Sequence, residues 1–144
     1  MWWMYALLSA LFAALTAIFA KVGIKGVDSD LATAIRTVII LIIAWGIAFI
    51  KGSAENMGSL TKINWIFLIL SGCATGLSWI FYFKALQIGK VSQVAPVDKL
   101  SVALAIVLSV LFLKESLSWQ TAIGALLIIS GTVVLILPKH YFGL

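Results

Sequence analysis

The sequence predicts an all-α integral membrane protein, a five-transmembrane-helix bundle. Three observations carry that reading: five apolar runs are long enough to cross a bilayer, almost nothing is left over for a water-facing domain, and no run alternates apolar with polar residues as a barrel strand would. Hydrophobic residues make up 63% of the 144 and charged residues 10%, against about 25% charged in soluble domains, so a water-facing surface cannot be built.

The elements follow in order. The first run, residues 2–22, lacks the basic segment and small-residue cleavage site of a secretory leader and reads as a permanent helix. The second covers 31–50, the third 63–87, the fourth 92–113 and the fifth 119–137, each near or above the roughly 20 residues a spanning helix needs. The connections at 23–30, 51–62, 88–91 and 114–118 are short, which makes neighbouring helices antiparallel and the whole of 1–144 one transmembrane domain. Trp2, Trp3, Trp65 and Trp119 fall at run boundaries, where aromatic rings anchor a helix to the headgroups.

A formal charge of +5 and a pI near 9.6 would suggest nucleic acid in a soluble protein, but here the cations lie in loops and at helix ends, so no nucleic-acid partner is expected. The single cysteine, Cys73, sits in mid-run and the single histidine, His140, in the tail, which leaves no intramolecular disulfide and no metal-ligand spacing. No nucleophile–base constellation, phosphate loop or carboxylate cluster is present, so neither an enzyme nor a cofactor or metal is expected. Loop charge does not orient the chain: Lys51, Lys62 and Lys114 on one side face Lys21, Lys25, Lys90 and Lys139 on the other. Adding Arg36, Lys84 and Lys99 from the helix ends makes the count three against seven and places the N-terminus outside, whereas the strict count of three against four allows insertion both ways.

Ionisable groups inside spanning helices are functional candidates by default. Lys21, Arg36, Lys84, Asp98 and Lys99 all fall at one end of an alternating bundle, a basic layer with a single carboxylate. Lys21, Arg36 and Lys84 also have a plain reading as cations snorkelling to headgroups. If Pro96 takes the first helical position, Asp98 stands at the third, where a carboxylate meets unpaired N–H groups and the positive end of the dipole; the alternative is a coupling or counter-ion role. A cation at Lys99 would oppose that dipole and calls for a counter-charge, a cavity or a ligand.

Gly72 and Gly76 form a G-x-x-x-G pair in the third run, and Gly124 and Gly131 stand seven apart in the fifth with Ile128 between, so both faces read as helix-packing or dimer seams. Trp79, Tyr82 and Phe83 share one helix face below Thr75, an arrangement that predicts an aromatic-lined cavity or, equally, packing against lipid.

The segment from Trp79-Ile80-Phe81-Tyr82-Phe83-Lys84-Ala85-Leu86-Gln87-Ile88-Gly89-Lys90 through Val91-Ser92-Gln93-Val94-Ala95-Pro96-Val97-Asp98-Lys99-Leu100-Ser101 resembles the third and fourth helices of an EamA domain. Leu111-Phe112-Leu113-Lys114-Glu115-Ser116-Leu117-Ser118, entering a glycine-bearing last helix, resembles the family's next turn, where Leu-Gly-Glu is common. The resemblance covers the whole chain and implies one five-helix half of a drug/metabolite transporter, a superfamily whose larger members pair two halves of opposite orientation. The last helix is also similar to that of small multidrug resistance transporters, where two glycines seven apart form the dimer seam. Their coupling glutamate in helix one has no counterpart in Ser9-Ala10-Leu11-Phe12-Ala13-Ala14-Leu15-Thr16, so drug efflux coupled through that residue is not expected.

The resulting expectation is a half-transporter in the cell membrane that works as a homodimer, antiparallel if insertion is dual. It would move an unidentified small-molecule substrate by alternating access, with Asp98, Lys99, Lys84, Arg36, Trp79 and Tyr82 facing substrate or coupling ion. Membrane lipid is the other expected partner. The alternatives are a non-transporting accessory or assembly protein, and a carrier of a lipid-linked anion, for which a basic layer is suited to phosphate.

Overall fold

The computed structural model describes residues 1–137, so Lys139 and His140 of the tail lie outside the described residues. The described residues are mostly helical: α1 (Trp2–Gly23), α2 (Ser29–Ile50), a short 3₁₀ helix (Ser53–Ser59), α3 (Lys62–Ile88), α4 (Val91–Asp98), α5 (Leu100–Leu113) and α6 (Trp119–Ile136), with no strand among them. Five segments meet the length and hydropathy of a bilayer span, with α4 and α5 together forming the fourth, Val91–Leu113.

Helix ends are set by local side chains. The Asp28 carboxylate accepts from the N–H groups of Asp30 (3.0 Å) and Leu31 (3.1 Å), so α2 starts at Ser29, two residues before the apolar run begins. Ser118 caps α6 through the Thr121 N–H at 3.1 Å, and Thr61 caps α3 through the Asn64 N–H at 3.2 Å. The end of α5 is unusual: Lys114 is its cap at φ 56°, the left-handed region that favours glycine.

The fourth span differs from a continuous helix over 92–113. Pro96 lies inside α4 instead of at its start, and as it has no N–H the carbonyl four residues back, on Ser92, loses its ladder partner. Three residues later the ladder tightens: the Lys99 N–H bonds Pro96 O at 3.0 Å and the Val102 N–H bonds Lys99 O at 3.0 Å, and Lys99 ends one helix and starts the next.

The chain divides into two compact units, Met1–Ile88 and Gly89–Leu144. In the first, α3 packs against both α1 and α2. Its buried residues gather at one end: Ala17, Ala20 and Ile24 from α1 and its exit, Ser29 and Thr33 from the start of α2, and Phe83 and the fully buried Leu86 from the end of α3. Small side chains on α1 and α2 let the bulky ones of α3 approach, which is how helices associate when lipid supplies no hydrophobic drive. In the second unit α6 packs against α4 and α5, with Ala103 and Thr132 buried. The Thr132 hydroxyl reaches Ile128 O (2.8 Å) in its own helix and Pro96 O (3.3 Å) in α4, tying α6 to the proline turn. Only 6–11% of each span is buried within the chain, so most large apolar side chains face outward.

Candidate functional site

The polar side chains of the first unit converge on its packed end. Lys21, near the end of α1, donates its ammonium to the carbonyl of Leu86. The Gln87 amide Nε2 donates to Val27 O at 2.8 Å, joining the end of α3 to the loop between α1 and α2. Carbonyls in the last turn of a helix have no partner in the helix itself, and Lys21 supplies one for α3 while placing a cation at the negative end of its dipole.

Arg36 stands beside this cluster. Because α2 begins at Ser29, it lies seven residues into the helix, roughly 10 Å along the axis and deeper than a start at residue 31 implies. Its guanidinium carbon sits 4.0 Å from the centroid of the Phe83 ring, which is itself edge-on to Tyr82 with centroids 5.3 Å apart and planes at 70°. Phe83 is 2% exposed, so the cation–π contact is shielded from solvent. Arg36 Nη1 is buried and makes no hydrogen bond, and no carboxylate of the described residues pairs with the guanidinium.

Arg36 also lines a cavity of about 420 Å³ between α1 and α2, whose walls include Phe19, Gly23, Ile24, Val27 and Ile35, with Thr16 the other polar side chain. The predicted aromatic cavity on α3 is therefore not this one: Thr75, Trp79, Tyr82 and Phe83 are absent from its walls. The Thr75 hydroxyl is turned back to Ser71 O at 2.9 Å, Phe83 is consumed by packing under Arg36, and Trp79 and Tyr82 are half-buried. Lys84 is exposed.

In the second unit Asp98 and Lys99 are paired, Oδ2 to Nζ at 3.3 Å, and both side chains remain substantially open. The helix-start reading of Asp98 does not hold. Asp98 is the last residue of α4, seven residues past Val91, and its carboxylate holds Lys99 instead of capping N–H groups. There the partial charge of α4 is negative, so Asp98 opposes the dipole and Lys99 complements it, while for α5 the signs reverse. The ion pair sits where two helix ends meet and answers both.

A Cβ built at Gly72, Gly76, Gly124 or Gly131 meets no described atom within 4 Å, so neither glycine pair marks a close helix contact inside the chain.

Comparison with known proteins agrees with this architecture. The EamA-like transporter family matches residues 1–137. An uncharacterized transporter in cobO 3'region from Sinorhizobium sp. is 46% identical over 134 residues, spanning 93% of this chain and 95% of that protein. An uncharacterized protein of Methanocaldococcus jannaschii is 36% identical over 69 residues, 48% of this chain and 50% of its own length. No solved structure matches the chain. With five bilayer-length apolar helices and a family match along nearly its whole length, this chain is a multi-pass membrane protein that belongs to the EamA-like transporter family.

Proposed function

We propose that two copies of this chain assemble into one transporter of the cell membrane, which moves a small metabolite by alternating access. The observation that supports this reading is the openness of the single chain: its spans bury only 6–11% of their residues internally, and a Cβ built at either glycine pair would meet no described atom within 4 Å beyond its own helix backbone. Bare glycine faces are where membrane helices associate, and a half-transporter must obtain its second half from another chain. Arg36, Lys84, Asp98, Lys99, Trp79 and Tyr82 are the side chains proposed to meet substrate or coupling ion. If protons are coupled to transport, Asp98 is the carboxylate proposed to carry them, α1 having none.

Cys73 makes the assembly testable without adding a cysteine. It is the chain's single cysteine, exposed, near the middle of α3 and between Gly72 and Gly76. A twofold axis in the membrane plane passes at mid-depth, so a seam along this face of α3 brings Cys73 close to its copy. Treatment of native membranes with a short bifunctional maleimide should give a crosslinked dimer, and Gly76→Leu should suppress it. Monomer alone, in crosslinking and in co-purification of two differently tagged copies, would remove the half-transporter reading.

A further inference from the structure

The unneutralised charge of Arg36 and the cavity that this residue lines point to a ligand class. A guanidinium keeps its charge under all ordinary conditions and presents a planar fork of donors, the geometry that matches a carboxylate or a phosphate. In this chain the fork is only partly used: the Phe83 ring covers the guanidinium at 4.0 Å, Nη1 is buried without a hydrogen-bond partner, and no described carboxylate neutralises the charge. The acids nearest in sequence are otherwise placed, for Asp28 holds the N-cap of α2 through two backbone N–H groups and Asp30 is exposed in its first turn.

The cavity supplies the remaining specification. Its volume of about 420 Å³ lies in the lower part of the range for small-molecule sites, about 300–1,000 Å³. Apart from Arg36 and the Thr16 hydroxyl its walls are apolar, and no acidic residue contributes to them. The neighbouring cation, Lys21, does not line it and is bonded to the Leu86 carbonyl. One cation with an apolar chamber suits one negative charge on an apolar body; a doubly charged phosphate would need a second cation, and an organic cation would be repelled.

We infer that the α1–α2 cavity is a binding site for a singly charged oxyanion carrying a compact apolar group, held by the charge of Arg36, which no described carboxylate neutralises, and by Phe19 and Ile35 through contact. This deepens the transport reading and rests on it for its biological sense, since it names the substrate class. The same chemistry is offered by a soluble organic carboxylate and by the phosphodiester headgroup of an anionic lipid, and the experiment separates the two.

The test is calorimetric titration of the purified full chain in lipid-free dodecyl maltoside with sodium phenylacetate, 2-phenylethanol and phenethylamine, which share a ring and differ in charge. Phenylacetate should bind while the alcohol and the amine do not, and Arg36→Gln should weaken binding at least about tenfold, the loss of one charge-assisted contact. Gly23→Leu is the second variant: its new side chain starts in open space and narrows the cavity while leaving Arg36 in the chain, so it too should abolish binding while melting cooperatively. Lys114→Gln, at the end of α5, should bind as the wild type does. In nanodiscs of phosphatidylcholine with and without phosphatidylglycerol, a rise in melting temperature with phosphatidylglycerol that is lost in both cavity variants, together with loss of phenylacetate binding, assigns the site to a lipid headgroup. Unaffected phenylacetate binding in both nanodiscs assigns it to a soluble anion. The inference is overturned if neither anion binds, if the amine binds as well as the acid, or if binding ignores Gly23→Leu. Binding needs no partner copy, so a failed Cys73 crosslink with intact anion binding would remove the dimeric transporter and leave the site, and the converse would do the opposite.

Discussion

Replacing Phe83 tests the contact that holds Arg36 inside the membrane. The ring is 2% exposed and lies 4.0 Å under the guanidinium carbon. Leucine keeps most of the apolar volume but loses the ring's negative face, so Phe83→Leu should cost about 1 kcal/mol in packing and a further ~1–2 kcal/mol for a cation–π contact between the exposed and desolvated limits. Arg36→Gln alone should cost much less. It gives up the same contact but also removes a buried donor with no partner, a burden of about 1–3 kcal/mol. The decisive quantity is the coupling in a double-mutant cycle of Phe83→Leu and Arg36→Gln, expected at ~1–2 kcal/mol because the two groups touch. Reversible unfolding in mixed micelles of dodecyl maltoside and dodecyl sulfate, followed by circular dichroism, measures all four corners. A coupling below about 0.5 kcal/mol would mean that the ring does not hold the guanidinium, and the placement of Arg36 beside the cavity would fail with it.

Three further outcomes follow from the helix ends and seams. Lys114→Gly should stabilise the protein by about 1 kcal/mol in the same unfolding assay, because a lysine at φ 56° carries a left-handed strain that glycine lacks; destabilisation would refute that backbone geometry. Asp98→Asn, which unpairs Lys99, should leave melting within about 1 kcal/mol of wild type, as expected of an open ion pair, yet abolish transport of an identified substrate, with Lys99→Gln doing the same and Lys21→Gln not; full transport by Asp98→Asn would return the residue to a structural role. Gly131→Leu should weaken self-association by about 1–2 kcal/mol, read as reduced resonance energy transfer between labelled copies in vesicles, and an unchanged signal would take α6 out of the interface.

The five spans were legible because lipid imposes one length and one composition on every helix that crosses it, so hydropathy alone locates them. What was missed is polar and local. The apolar run alone starts α2 at residue 31, with Asp28, Ser29 and Asp30 as loop, although an Asp three residues ahead of the run is an ordinary N-cap signal. Pro96 carries the signal for the break at Lys99, since a proline inside an apolar run interrupts the ladder; the same residue type also favours a helix start, and that alternative hides the break and misplaces Asp98. Arg36 was identified as a candidate from its position, but its contacts were not readable: Phe83 is 47 positions away in sequence, and only the packing of α3 against α2 brings the ring beneath the guanidinium. The α1–α2 cavity had no sequence signal either, as its walls are the same alanine, glycine and isoleucine found everywhere else in the chain.

A transporter whose two halves both come from this chain needs the chain in both orientations, which the placement of its termini reports. Reporters active on only one side of the membrane, fused separately to each terminus, should show every terminus on both sides, because the loop cations Lys51, Lys62 and Lys114 nearly balance Lys21, Lys25, Lys90 and Lys139. Two lysines added to either set of loops should draw the population to one orientation. Uniform labelling of a single side, unmoved by those additions, would contradict an antiparallel pair built from this chain alone.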